Sequence, residues 1–239
     1  MIDFWAETHV GKVRSNNEDS FAAVPELGLF VVADGLGGAA AGERASKVTV
    51  EILVDEVRAA GDALTLGKLS EIVELANRNV LDEARNDPYL RGMGTTVTAA
   101  VVRDGRLQVV NAGDSRAYRF RGGELECLTE DHSWIWGLAK ERGVSTHHYK
   151  DHRFRHMLTK AIGAEETVEA DRFDLDFVPG DVLLLSSDGL HGVLTDEEIA
   201  AILGLDKTIR SRAKRLINVT LGRGAPDNVT VVLARNSGG

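Results

Sequence analysis

The stretch FVVADGLGGAAAGE, residues 30–43, ends an apolar run on Asp34, turns through glycines and enters a helical pattern near Glu43. Strand, glycine-rich turn and helix is the layout of a phosphate-binding loop, and residues 35–40 fit G-x-G-x-x-A. Such a loop holds an anion on backbone N–H groups and a helix N-terminus. An ionised aspartate in front of it repels that anion. A dinucleotide site also needs a second strand carrying an acidic residue about 20 residues on, whereas this chain continues as helix. The stretch is therefore not a dinucleotide loop, and an alternating parallel architecture loses its main support.

Working outward, short apolar runs bounded by Gly, Asp or Asn mark strands at 29–33, 97–102, 107–112, 182–186 and 229–234. Residues 106–128 read as strands joined by tight turns, with Gly122-Gly123 as a hairpin signal. Helical stripes occupy 43–60, 66–85 and 206–222, and Thr195 to Glu198 is a capping box opening a short helix. Two helices follow one another from 43 to 87 with no strand between them. Helices grouped beside runs of strands indicate an α+β domain of layered antiparallel sheets.

The construction at Asp34 recurs. VLLLSSDGL ends an apolar run at Asp188-Gly189, LQVVNAGDSR ends another at Gly113-Asp114, and GAPDNVTVVLA sets Asp227 at the start of a strand. In antiparallel sheets the start of one strand lies beside the end of its neighbour, so four aspartates can meet at one edge. An isolated aspartate there usually starts a turn. Four together repel one another unless cations neutralise them, and Mg²⁺ and Mn²⁺ prefer carboxylate, carbonyl and water oxygens. Glycine after the aspartate leaves room for a backbone carbonyl to approach an ion. On this reading Asp34 holds metal, and the metal holds phosphate.

Composition narrows the alternatives. The 239 residues, 43% hydrophobic and 27% charged, suit a soluble globular protein. No apolar run approaches the roughly 20 residues that span a bilayer. The N-terminus lacks a signal-peptide core, and the single cysteine, Cys127, rules out an internal disulfide framework and suits the cytoplasm. The net charge of −9 disfavours nucleic acid as a partner.

The motifs GKVRSNNEDSF, VVADGLGGAAAGERAS, GMGTTVTAAVV, VNAGDSRAYRFRGGELECLTEDHS, HMLTKAIG, PGDVLLLSSDGL and GAPDNVTVVL, in that order, resemble the metal-dependent Ser/Thr protein phosphatases of type 2C, especially compact bacterial members. The resemblance spans essentially the whole chain, 1–239, as one catalytic domain. It implies a four-layer α-β-β-α sandwich, two antiparallel sheets flanked by helix pairs, with the metal centre at one end. It further implies that Asp34 bridges two Mn²⁺ or Mg²⁺ ions, that Asp188 and Asp227 complete the first ion's ligands, and that the Gly35 carbonyl serves the second. Glu18 and Asp19 hold metal-bound waters in such a site, Asp114 with Asp188 forms a weaker third-metal site, and Arg14 binds phosphate. The implied activity is hydrolysis of phosphoserine and phosphothreonine in proteins, in a cytoplasmic monomer opposing a Ser/Thr kinase. Two other functions compete: a catalytically dead phosphoprotein binder, for which a lost metal aspartate is the mark and none is lost, and a phosphatase of small metabolites.

Residues 132–157 fall where the family places a flap beside the active site. His148, His152 and His156 recur every fourth residue, as metal ligands on a helix face do, but without accompanying carboxylates a basic solvated helix is the stronger reading. Trp134 and Trp136 read as flap anchors, Cys127 as a packed core thiol. Leu36 occupies the position where eukaryotic relatives carry a proton-donating histidine.

Overall fold

In the computed structural model, which describes residues 1–144, 149, 152–154 and 156–238, every strand pairing is antiparallel. Strands β1 (Ile2–His9), β2 (Asp19–Val24) and β3 (Leu29–Leu36) come first, followed by helices α1 (Ala39–Ala60) and α2 (Leu66–Asn86). A run of strands succeeds them: β4 (Gly94–Thr95), β5 (Val97–Arg103), β6 (Arg106–Ala112), β7 (Arg116–Arg121) and β8 (Glu124–Cys127). Helix α3 (Trp134–Arg142), strands β9 (Asp171–Asp176) and β10 (Val182–Ser186), helices α4 (Asp188–His191), α5 (Asp196–Leu203) and α6 (Ile209–Gly222), and strand β11 (Val229–Asn236) complete the chain. One sheet runs β1-β11-β10-β7-β8; the other runs β2-β3-β5-β6-β9, with β4 added beside β3.

The apolar runs of β3, β10 and β11 are continuous because both faces of each strand are covered. Leu29, Val31 and Ala33 of β3 pack with α1 and α2, while Phe30 and Val32 on the opposite face pack between the sheets. Leu183 and Leu185 of β10 meet them there, and Val182 and Leu184 turn outward to Ile199, Ala213 and Leu216 of α5 and α6. Period-two alternation thus feeds three cores, and the layers stack as helices, sheet, sheet, helices. The expected four-layer α-β-β-α sandwich is the observed one.

Several details differ from the sequence reading. Strand β3 does not stop at Asp34 but continues through Gly35 and Leu36, which pair with Thr95 and Gly94. Asp188 is the first residue of a helical turn, not part of a loop. Strands β1, β2 and β9 lack strong apolar runs, since each has a partly exposed face. Cys127 is no core thiol: it lies exposed on the edge strand β8, its Sγ donating to the Thr129 carbonyl at 3.3 Å. The spaced histidines share no helix. Helix α3 ends at Arg142, His152 and His156 are non-helical, and His148 lies outside the described residues.

Candidate metal centre

Asp34 sits on β3 directly opposite Asp19 on β2, so two carboxylates are brought together by strand register alone. The GMGTT motif fixes this segment. Thr96 Oγ1 accepts the Asp34 N–H at 2.9 Å, and the Asp34 carbonyl accepts from Thr95 Oγ1 at 2.8 Å and from the Thr96 N–H at 2.9 Å. The sequence reading missed the roles of Thr95 and Thr96; two hydroxyl residues in a row beside a glycine were the available signal.

From the other sheet come Asp188, opening α4 after β10, and Asp227, two residues before β11. Asp114 lies in the turn between β6 and β7. That turn is strapped on both sides: the Gly113 N–H donates to His132 Nδ1 at 3.1 Å, and Arg116 makes a two-bond ion pair with Asp131, both at 2.7 Å. A cavity of about 80 Å³ is walled by Glu18, Asp34, Gly35, Asp114, Asp188 and Asp227, with Arg14, Leu36 and Asn228 among its other neighbours. It opens on a cleft of about 530 Å³ that shares Arg14, Asp114, Asp188 and Asp227 and extends past Ile135, Val193 and Pro226.

The glycines of the two Asp-Gly pairs have a reason beyond the one expected. A Cβ on Gly35 would collide with the Gly42 and Glu18 carbonyls, and one on Gly189 with the Asn228 carbonyl. They let backbone pack on backbone behind the carboxylates. Gly42 in turn leaves room for the Glu18 carboxylate beside α1.

Crowded acids shape the electrostatics. Burial, reinforced by Asp19, Asp188, Asp114 and Asp227, pushes Asp34 well above the usual carboxylate range. Burial and Asp188 do the same to Asp114, and burial and Asp227 raise Asp188. Asp19 is pushed up to about 7, chiefly by burial, although its Oδ2 accepts from Ser187 at 2.8 Å and Thr230 at 2.6 Å. Its Oδ1 is buried and has no hydrogen-bond partner. Burial also raises Glu18, whose N–H donates to Asn228 Oδ1 at 2.8 Å.

Arg14 is exposed and donates to Asp227 Oδ2 at 2.8 Å, which places its guanidinium at the mouth of the cavity. His156 Nδ1 stands 3.9 Å from Asp188 Oδ2. Trp134 stacks on His152 at 5.0 Å and meets Phe154 edge-on at 5.6 Å, so it anchors the segment after α3 as expected. Trp136 lies 5.9 Å from the Arg116 guanidinium.

Among the described residues no three acidic or histidine side chains already close into the shell of a single ion. The carboxylates instead surround one shared cavity. An all-oxygen donor set with a buried, unpartnered Asp19 oxygen fits hard divalent cations such as Mn²⁺ and Mg²⁺.

A family model, protein phosphatase 2C, matches residues 8–225. The serine/threonine phosphatase stp of Listeria innocua is 32% identical over 237 residues, covering 96% of this chain and 94% of the relative. PstP of Mycobacterium tuberculosis is 38% identical over 236 residues, 98% of this chain but 45% of that protein. Among solved structures, M. tuberculosis PstP superposes with a TM-score of 0.90 at 37% identity, covering 99% of both chains. The PstP catalytic domain in complex with two manganese ions gives 0.88 at 36% identity, covering 98% of this chain and 97% of that one.

Proposed function

The chain belongs to the protein phosphatase 2C family, and from that membership we infer how its own residues perform the metal-dependent hydrolysis of phosphoserine and phosphothreonine in proteins. The observation that carries the reading is the convergence of Asp34, Asp114, Asp188 and Asp227, from both sheets, on one cavity beside Arg14.

Asp34, Asp188 and Asp227 would hold two core ions, Mn²⁺ or Mg²⁺, with the Gly35 carbonyl as a further ligand. Glu18 and Asp19 would orient waters behind them, and Asp114 with Asp188 would hold a weaker third ion. When bound, such ions lower the pKa of a water nucleophile and neutralise charge on the phosphoryl oxygens. Arg14 supplies a permanently charged planar fork for two phosphoryl oxygens, and Asp227 keeps that fork at the cavity mouth until phosphate arrives. Leu36 lines the cavity and carries no proton, so the leaving serine or threonine oxygen is not protonated from that position.

We read residues 1–239 as a single catalytic domain, acting as a cytoplasmic monomer opposite a Ser/Thr protein kinase. No helix among the described residues is long and apolar enough to cross a membrane. The test is phosphate release from phosphoserine and phosphothreonine peptides, with Mn²⁺ and after EDTA. Release with Mn²⁺ that stops in EDTA supports the assignment. Turnover of small phosphorylated metabolites alone defeats it.

A further inference from the structure

Helix α6 differs from the other long helices in holding no acidic side chain to pair with its bases. Residues 207–226 contain Lys207, Arg210, Arg212, Lys214, Arg215 and Arg223 and no acidic side chain, in a chain of net charge −9. Arg210 and Arg212 occupy the first turn, which holds no acid, and so face the positive end of the helix dipole. Arg210 and Lys214 stand four residues apart, where like charges repel. By contrast α1 and α2 pair their own bases: Arg58 with Asp55 at 3.4 Å, Lys68 with Glu71 at 3.1 Å, Arg78 with Glu74 at 3.7 Å. No ion pair forms within α6 among the described residues; Arg223, just past its end, reaches Glu198 of α5.

Packing does not explain the pattern. The inward face of α6, with Ile209, Ala213, Leu216 and Ile217, is seated on the sheet, while Lys207, Arg210, Lys214 and Arg215 are exposed. Arg210 lies over the Trp5 ring at 4.4 Å, which orders its stem without cancelling its charge. Arg212 has Asp206 and Asp3 nearby and Arg223 has Glu198. Among the described residues, however, no acidic side chain pairs with the exposed Lys207, Arg210, Lys214 or Arg215, the kind of local violation expected at a functional surface.

The C-terminal end of the helix runs by a short loop into the active site. Three residues past Gly222 the chain reaches Ala225, whose carbonyl accepts the Lys12 N–H at 2.9 Å, and then Asp227 with Arg14. Lys214 is about 12 Å of helix from Gly222, a span that with the loop equals roughly five to eight residues of extended chain.

We propose that the outer face of α6 docks a carboxylate-rich stretch of the protein substrate, about five to eight residues from the phosphoserine or phosphothreonine at the carboxylate centre. The proposal rests on the phosphatase assignment. Overall the chain repels acidic proteins, and a basic stripe leading to the centre selects those whose acidity is correctly placed.

The experiment uses the full chain with Mn²⁺ and phosphothreonine peptides bearing a block of glutamates or of glutamines about six residues to either side. The glutamate peptide is expected to show a KM about three- to tenfold lower at low salt, the advantage shrinking in high salt. The double variant Lys214→Glu, Arg215→Glu loses the advantage, while its turnover of p-nitrophenyl phosphate and of the glutamine peptide stays unchanged. Both side chains are exposed, and melting curves with the milder Lys214→Gln, Arg215→Gln pair check that folding is intact. Equal KM values for the two peptides on the wild type, or an advantage that survives both variants, overturn the proposal. So does binding of phosphatidylserine vesicles or duplex DNA by the stripe with no discrimination between peptides. Failure of the wild type on every phosphorylated substrate speaks instead against the phosphatase assignment.

Discussion

Asp34 is the residue on which the centre depends, because its carboxylate faces Asp19, Asp188, Asp114 and Asp227 at once while its backbone is tied to Thr95 and Thr96. Those two roles separate cleanly. Asp34→Asn keeps the shape and every backbone bond but removes the charge that the proposed pair of divalent ions would share. Turnover of a phosphothreonine peptide is expected to fall by about a thousandfold or more, the scale of losing a main electrostatic contributor to a transition state. The melting temperature without metal should hold or rise, since one of several repelling acids is gone. Calorimetric titration with Mn²⁺ checks the cause; a variant that binds two ions as tightly as the wild type and works normally removes Asp34 from the bridging position.

At the scale of elements, the strand–glycine–helix junctions are what bring carboxylates to the same place. Gly189 in α4 abuts the Asn228 carbonyl just before β11, with no room for a methyl group. Gly189→Ala is therefore expected to destabilise the fold by about 2–3 kcal/mol, in the range of overpacking a tight core, and to weaken Mn²⁺ binding with it. Gly137→Ala in α3 is the control: a Cβ there meets nothing within 4 Å, and alanine favours helix, so stability should hold or rise slightly. Chemical denaturation of both variants distinguishes local crowding from a general intolerance of substitution. These junctions also mark how far the sequence could be read. Repeated Asp-Gly pairs after apolar runs gave away Asp34 and Asp188, and the buried strands, apolar on both faces, were plain. Strands β1, β2 and β9 were not, because a half-exposed strand of mixed residues carries little signal against a loop. Nor could spacing reveal that Asp19 would face Asp34, which is a matter of register between two strands, or that His152 and His156 would leave the helix that their four-residue spacing suggested.

Across the whole molecule, the acids of the centre set a pH dependence opposite to the common one. Asp19, raised to about 7 by burial, binds a proton in the folded metal-free protein at pH values where the unfolded chain, titrating near 3.9, has released it. The folded state thus holds more protons between about pH 4 and pH 7, and its stability falls as pH rises through that window. Asp34, Asp114 and Asp188 are shifted in the same direction. The melting temperature in EDTA is expected to drop from pH 5 to pH 8, and Mn²⁺ to raise it most at the alkaline end, where ligands are already ionised. A metal-free melting temperature that climbs over this range contradicts the account. The bonds of Asp19 have a different consequence for anyone recombining members of this family. Its carboxylate leaves one sheet and is gripped by Ser187 and Thr230 of the other half, so the three residues form a unit of inheritance that crosses the sandwich. A chimera taking each sheet from a different parent can preserve all three apolar cores and still fail at the centre unless these three positions travel together, and in an alignment they should change in concert or not at all.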